Sequence, residues 1–304
     1  MELRQLRYFL GVCEAGSFLK ASARLHVAQP ALGQQVAALE EELGVRLLLR
    51  SSKGVTSTAA GKTFLEHANL VLADVERASR AVREAGSVPS GSVAIGLPTT
   101  VSLGATLPIL RACRERLPQV RLKIVEAYSD YLKEWLKSGR LDVAILFSDK
   151  PESGLRERAL LDEQLVFVTS ARESALPKRL SLKRLAQWPL LLPSSEHGLR
   201  RIIEDACAPL GLQLNVVAEI DSLQSVKKAT EAGIGSTILP LGSVAEEVAA
   251  GKLQVARIAS DRMSRRVVCA SNIMRPQTPA SSAVIALVQE VIHDMVASKS
   301  WPGH

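Results

Sequence analysis

"LHVAQPALGQQVAALEEELGV", from Leu25 to Val45, sets an apolar stripe, a proline, three glutamines and three consecutive glutamates into one short stretch. Leu32, Val36, Leu39 and Leu43 recur at intervals of four, three and four, the spacing of one face of an amphipathic helix. Pro30 suits the first turn, where a missing N–H costs little, and Gly44 suits the end. Opposite the stripe lie Pro30, Gln34, Ala37 and Glu41, with Gln29, Gly33 and Gln35 flanking that face near the start.

Two shorter helices precede it. Ser17 is a good N-cap for "FLKASARL", with Phe18, Ala21 and Leu25 inward. A helix over about residues 3–15 puts Leu3, Leu6, Phe9, Leu10 and Cys13 on one side. The turn "HVAQ" joins the second helix to the third, so the three spell a helix-turn-helix. Glu40, Glu41 and Glu42 would repel phosphates, so that end should point away from a duplex. The glutamine end should enter the major groove, where glutamine pairs bidentately with adenine for about 1–3 kcal/mol of discrimination. An ordinary bundle helix with a solvated face is the competing reading.

The next stretch weakens that competitor. "LGVRLLLRSSKGVTSTAAGK", Leu43 to Lys62, holds four basic residues and no acid. Arg46–Arg50 is expected as a strand, "SSKG" as a turn and "VTST" as the return strand, a β-wing with Lys53 at its tip. Arg50 and Lys53 are placed to contact phosphate or the minor groove. From Thr58, a plausible N-cap, a helical pattern runs to about Gly86. Along it Phe64, Ala68, Val71, Val75, Ala78 and Val82 form an a/d seam. The seam suits a dimer coiled coil that sets two heads on a two-fold axis, or else packs on its own domain.

Composition bounds the rest. The 304 residues suggest two or three domains, and 47 % apolar with 23 % charged residues is a folded composition. No apolar run suggests a membrane span, and "MELRQLRYFL" is a poor leader, so a cytoplasmic protein is expected. Cys13, Cys113, Cys207 and Cys269 lack metal or redox spacing and suit reduced core thiols, with a Cys207 redox switch as the alternative. Net charge is +7, yet residues 1–88 hold 11 Lys and Arg against 9 Asp and Glu. Local charge distribution, not the total, must therefore carry any case for DNA.

"SVPSGS", residues 87–92, suggests a linker. Beyond it β and α signals alternate: "SVAIGL", "SLGATLPILRACRERL", "RLKIVEA", "YLKEWLKSG" and "LDVAIL", then "LVFVT", "WPLLLP", "NVVAEI", "STILP" and "RRVVCAS". The pattern predicts an α/β domain with a mostly parallel sheet. Such sheets bind ligands beyond the carboxyl ends of their strands. That rule selects Pro98–Ser102, Ala127–Ser129, Phe147–Asp149, Pro193–Gly198 and Asp221–Ser225. The candidate ligand residues are Thr99, Thr100, Ser102, Tyr128, Ser129, Phe147, Ser194, Ser195, His197 and Ser222. A helix N-terminus at Thr99 and Thr100 favours a small polar or anionic ligand; each segment alone could equally be a cap or turn. GxSxG, Walker, GxGxxG and metal motifs are absent, so no enzyme activity, cofactor or metal is expected.

The stretches "LRQLRYF", "AGSF", "ASARLHVAQPAL", "LEEELGVRLLLR" and "GVTSTAAG" resemble the LysR-type transcriptional regulators. With "SGSVAIGLPTT", "SGRLDVAILF" and "GIGSTILP" they are similar to the branch containing the nitrogen assimilation control protein. The resemblance implies a winged helix-turn-helix over 1–58, a linker and dimerisation helix over 59–88, and an effector domain over 89–304. That last domain would be two-lobed α/β, like periplasmic binding proteins, with lobe one at about 89–160 plus 269–304 and lobe two at about 161–268. It further implies a homo-oligomer, dimer or tetramer, on double-stranded promoter DNA, with a small effector between the lobes. The family's DNA-contacting positions fall on Gln29, Pro30, Ala31, Gly33, Gln34, Gln35, Arg50 and Lys53. Ala28 and Gly33 stand where the family commonly has serine. A regulator whose lobes set only oligomer geometry, without a ligand, is the alternative. Lys53→Ala should weaken binding to every DNA sequence and lower the salt slope of log Kd by about one unit; an unchanged slope would place the wing off the phosphates.

Overall fold

The structure is a computed structural model; it describes all residues except 52–53, 84–87, 149, 302 and 304, and not the side chains of 77, 80, 81 and 83. The chain forms two compact units, Met1–Ala85 and Gly86–His304. The expected tip residue Lys53, Gly86 at the end of the seam, Ser87 in the linker and Asp149 lie outside the described residues.

The first unit runs α1 (Leu3–Ala15), α2 (Phe18–Leu25), α3 (Gln29–Leu43), β1 (Leu48–Ser51), β2 (Gly54–Ser57) and α4 (Ala59–Arg83). Left-handed residues close the first three helices: Gly16, His26 and Gly44. Leu32, Val36 and Leu39 are fully buried against Phe9, Val12, Phe18 and Ala21. Leu43, expected on the same stripe, is instead 37 % exposed. The chain doubles back at Gly44, and Leu47 enters the core in its stead.

Glu40 has a structural role besides its charge. It is half-buried, and its Oε1 accepts hydrogen bonds from the backbone amides of Leu47 (2.7 Å) and Leu48 (2.9 Å). Of the three glutamates, Glu41 and Glu42 are exposed. The wing is an antiparallel pair in which Leu48 faces Ser57 and Ser51 faces Gly54. Thr58 caps α4, accepting from Gly61 N at 2.9 Å and donating to Arg46 O at 2.8 Å. Gly61 is obligatory, since a Cβ there would lie 2.0 Å from Leu47 O. Along α4 the seam divides. Phe64 meets Phe9 edge-on at 5.2 Å and Ala68 packs on Leu6 and Leu10, whereas Val71 and Val82 are exposed.

The second unit contains β3 (Gly91–Leu97), α5 (Thr99–Arg116), β4 (Val120–Glu126), α6 (Ser129–Ser138), β5 (Val143–Phe147) and β6 (Leu155–Ser170). There follow β7 (Arg179–Leu180), α7 (Leu182–Leu185), β8 (Leu190–Leu192), α8 (Gly198–Cys207), β9 (Val216–Glu219) and α9 (Leu223–Glu231). The last are β10 (Thr237–Pro240), α10 (Ala245–Ala249), β11 (Leu253–Ile258), β12 (Ser264–Asn272) and α11 (Pro279–Ala297). Strand β3 begins at Gly91, inside the stretch expected as linker.

The sheet is mixed, not mostly parallel. β3 pairs in parallel with β4 and β5, but β12 runs antiparallel to β5 and β6. β6 is the reason. Its first part pairs with β12, and its last residues, Leu165–Ser170, pair antiparallel with β10 and β11. One strand thus joins the two halves of an eight-stranded sheet and serves both lobes. Its first half, "LRERALLDEQ", is too polar to announce itself as a strand.

Lobe one packs Val93, Ile95, Ile109, Val143, Val267 and Cys269 against α11; lobe two packs Phe167, Leu190, Leu191, Ile203 and Ile238. Contrary to expectation, α11 is long and apolar enough to cross a membrane. It is a core helix here, burying Val284, Leu287, Val288 and Ile292. All four thiols are unbridged; Cys207 is 1 % exposed and burial raises its pKa, which suits the core-thiol reading. Cys269 is pushed up to about 11 by burial.

Glu40→Ala should destabilise the first unit by about 1–3 kcal/mol, because two buried amides lose their acceptor. Exposed Glu41→Ala should change urea unfolding little. Equal effects would remove the structural role assigned to Glu40.

Candidate nucleic-acid interface and inter-lobe cleft

The start of α3 is built as an open face. Gln29, Pro30, Ala31 and Gln34 are exposed, and Gly33 and Gln35 half-buried. Gln29, Pro30, Gly33, Gln34 and Arg50 line one open concavity of about 590 Å³ with the start of α2; Ala31 and Gln35 lie outside its lining. The Arg50 guanidinium rests over the Phe18 ring at 4.3 Å, which ties the wing to α2 beside the glutamines. Ala28 occupies the N-cap without a side-chain bond, leaving first-turn amides for another acceptor. A Cβ on Gly33 would meet nothing within 4 Å, so a serine fits there sterically. Glycine costs about 1 kcal/mol of helix propensity at that position.

In the second unit the candidate ligand residues divide into two contact groups. Thr100, in the first turn of α5, accepts a bond from Arg265 Nη2 at 2.8 Å. The same guanidinium lies over Phe147 at 3.6 Å and pairs with Glu163 at 2.6 Å. Glu163 also accepts from Trp301 Nε1 at 3.1 Å. Arg265 and Glu163 sit directly opposite on β12 and β6, and each is 3 % exposed. Ser129 Oγ accepts from Phe147 N at 3.3 Å.

The second group joins the lobes. Tyr128 donates to Asp221 O at 3.1 Å, and its ring meets the His197 ring at 4.7 Å. Ser194 donates its amide and hydroxyl to Asp221 Oδ1, both at 2.9 Å. Those bonds hold the Asp221 carboxyl below its ordinary range. Arg201 reaches Asp130 at 3.1 Å across the same boundary. His197 caps α8, its Nδ1 accepting from Leu199 N at 3.1 Å. Burial lowers its pKa; Arg265 adds to that and Asp221 opposes it. The remaining candidates stand apart from these contacts. Ser102 pairs with Thr106 along α5, Ser222 caps α9, Ser195 is exposed, and Thr99 is half-buried.

Arg265, Glu163 and Trp301 escaped selection from the sequence. A signal existed for the first two. Arg265, Val267 and Cys269 alternate along one strand, as do Leu161, Glu163 and Leu165, so period two puts both charges on apolar-flanked faces.

An exposed glutamine-bearing helix beside a basic wing, on a separate ligand-type α/β unit, defines a DNA-binding regulator. Residues 3–62 match the bacterial regulatory helix-turn-helix family of the lysR type, and residues 86–292 match the LysR substrate binding domain. The chain belongs to the LysR family of transcriptional regulators, and its relatives are regulators rather than enzymes. It is 33 % identical over 301 residues to the nitrogen assimilation regulatory protein nac of Klebsiella aerogenes, covering 99 % of this chain and 97 % of that protein. It is similar to full-length CbnR complexed with its target DNA, at 27 % identity and a TM-score of 0.69, covering 96 % of this chain and all of that one. A full-length OxyR variant from Pseudomonas aeruginosa has a TM-score of 0.71 at 25 % identity, covering 96 % and 98 %.

His197 binds its proton less well folded than unfolded. Its contribution is therefore complete above the ordinary value of 6.5 and is lost as pH falls below it. Thermal melts should show Tm falling between pH 7 and pH 5, with a shallower fall in His197→Asn, which keeps a capping side chain. Parallel curves would detach the pH response from His197.

Proposed function

We propose that the chain is a cytoplasmic, ligand-responsive regulator that grips promoter DNA as a homo-oligomer. The start of α3 enters the major groove. Gln29 and Gln34 address base edges there, while Pro30, Ala31, Gly33 and Gln35 shape the approach. Arg50 and Lys53 address the backbone from the wing. The observation that carries this reading is the shared concavity of the glutamines and Arg50.

Oligomer formation is supported by two apolar stripes. Val71 and Val82 on α4 continue the heptad seam outward. Leu103, Leu107 and Leu110 form an exposed stripe on α5, which would let dimers pair into tetramers. A small ligand held among Thr100, Tyr128, Ser129, Phe147 and His197 would shift the balance between oligomer shapes, and so the spacing of the heads. The ligand-free reading keeps one specific support: Arg265 already engages Thr100 and Phe147, and Tyr128 already clasps Asp221.

A footprint on the DNA upstream of its own gene, with and without pooled metabolites, tests both. Paired protected half-sites that shift or shorten with the pool support ligand response. An indifferent footprint supports the ligand-free reading, and none at low salt removes both. Gln29→Ala should lower specific affinity by about 1–3 kcal/mol while leaving non-specific affinity nearly unchanged. Equal losses on both would displace α3 from the groove.

A further inference from the structure

The side chains proposed above to hold the ligand lie among charges that are already compensated. Arg265 and Glu163 form a buried pair at 2.6 Å, and the guanidinium spends a further N–H on Thr100 and its face on Phe147. Around His197 stand Arg265 and Arg201 on one side of the balance, Asp221 and Asp130 on the other. With Glu163, these described groups are three carboxylates and two cations. Arg201 is itself paired with Asp130.

A carboxylate entering this cleft would shed its water without gaining an uncompensated cation, and would face the carboxylates already there. Burying such a charge unpaired is costly. A cation would find no free carboxylate either: Glu163 is paired with Arg265, Asp130 with Arg201, and Asp221 accepts two bonds from Ser194. Hydrogen-bonding capacity without charge remains. Thr100, Tyr128 and Ser129 carry hydroxyls, and His197, whose Nδ1 accepts from Leu199 N, carries its neutral-form proton on Nε2.

We propose that the cleft takes a small uncharged ligand of the carboxamide or hydroxyl class, and that Glu163 sets this preference by cancelling Arg265. The inference rests on the ligand-responsive reading above.

Two shape-matched series test it: acetamidine, acetamide and acetate, and benzamidine, benzamide and benzoate. Each is titrated calorimetrically into the full chain and into Glu163→Gln. In the native chain the amide should bind at least ten times more tightly than its acid and its amidine. In Glu163→Gln, which frees the Arg265 charge, affinity for the acid should rise at least tenfold. Thr100→Val should weaken the amide. The native-chain series stands alone if Glu163→Gln does not fold. Tightest binding of an acid or an amidine by the native chain would overturn the charge argument and leave a ligand cleft in place. No binding of any of the six to the native chain or to a folded Glu163→Gln would overturn the cleft reading itself, and this inference with it.

Discussion

Glu40 accepts hydrogen bonds from the amides of Leu47 and Leu48, and the layout of the DNA-binding unit follows from that contact. A helix that buries Leu32, Val36 and Leu39 has only its opposite face left for a partner. The chain must then turn at Gly44 and return to the core with Leu47. Those returning amides are buried and need an acceptor. Glu40, in the last turns of α3, supplies it, and so ties the end of α3 to the start of the wing. Thr58 and Gly61 close the same junction from the side of α4.

Glu163 does comparable work in the second unit. Strand β6 runs from lobe to lobe, and Glu163, near the point where its partners change from β12 to β10 and β11, faces Arg265. Arg265 in turn touches Thr100 and Phe147, both on lobe one, and its charge reaches His197 on lobe two. These contacts link side chains of both lobes through one polar network built on the buried Arg265–Glu163 pair.

Much of the DNA-binding unit was legible because its signals are local. Pro30, Gly44, Thr58 and the stripe at Leu32, Val36 and Leu39 each act within a turn or two, whereas Ser17 takes the N-cap position of α2 without a side-chain capping bond. Leu43 misled, and the role of Glu40 was not legible, because their surroundings depend on where the chain goes after Gly44. The effector unit was legible as alternating α and β, yet its sheet order was not. β6 is polar over its first half and pairs with strands about 100 residues away. Hydroxyl-rich segments such as Thr99–Ser102, the start of α5, and Ser194–Ser195 stood out in the sequence, while the buried charges Arg265 and Glu163 did not. Long-range pairing, not composition, gives those two their place.

Hydrogen exchange of the full chain, with and without a DNA duplex carrying its own upstream site, tests the central claim most directly. The account predicts slowed exchange at the start of α3, over residues 29–35, and in the wing, over residues 48–57. Residues 40–43 at the glutamate end should be unchanged. Slowing centred on that glutamate end, with residues 29–35 unaffected, would contradict it.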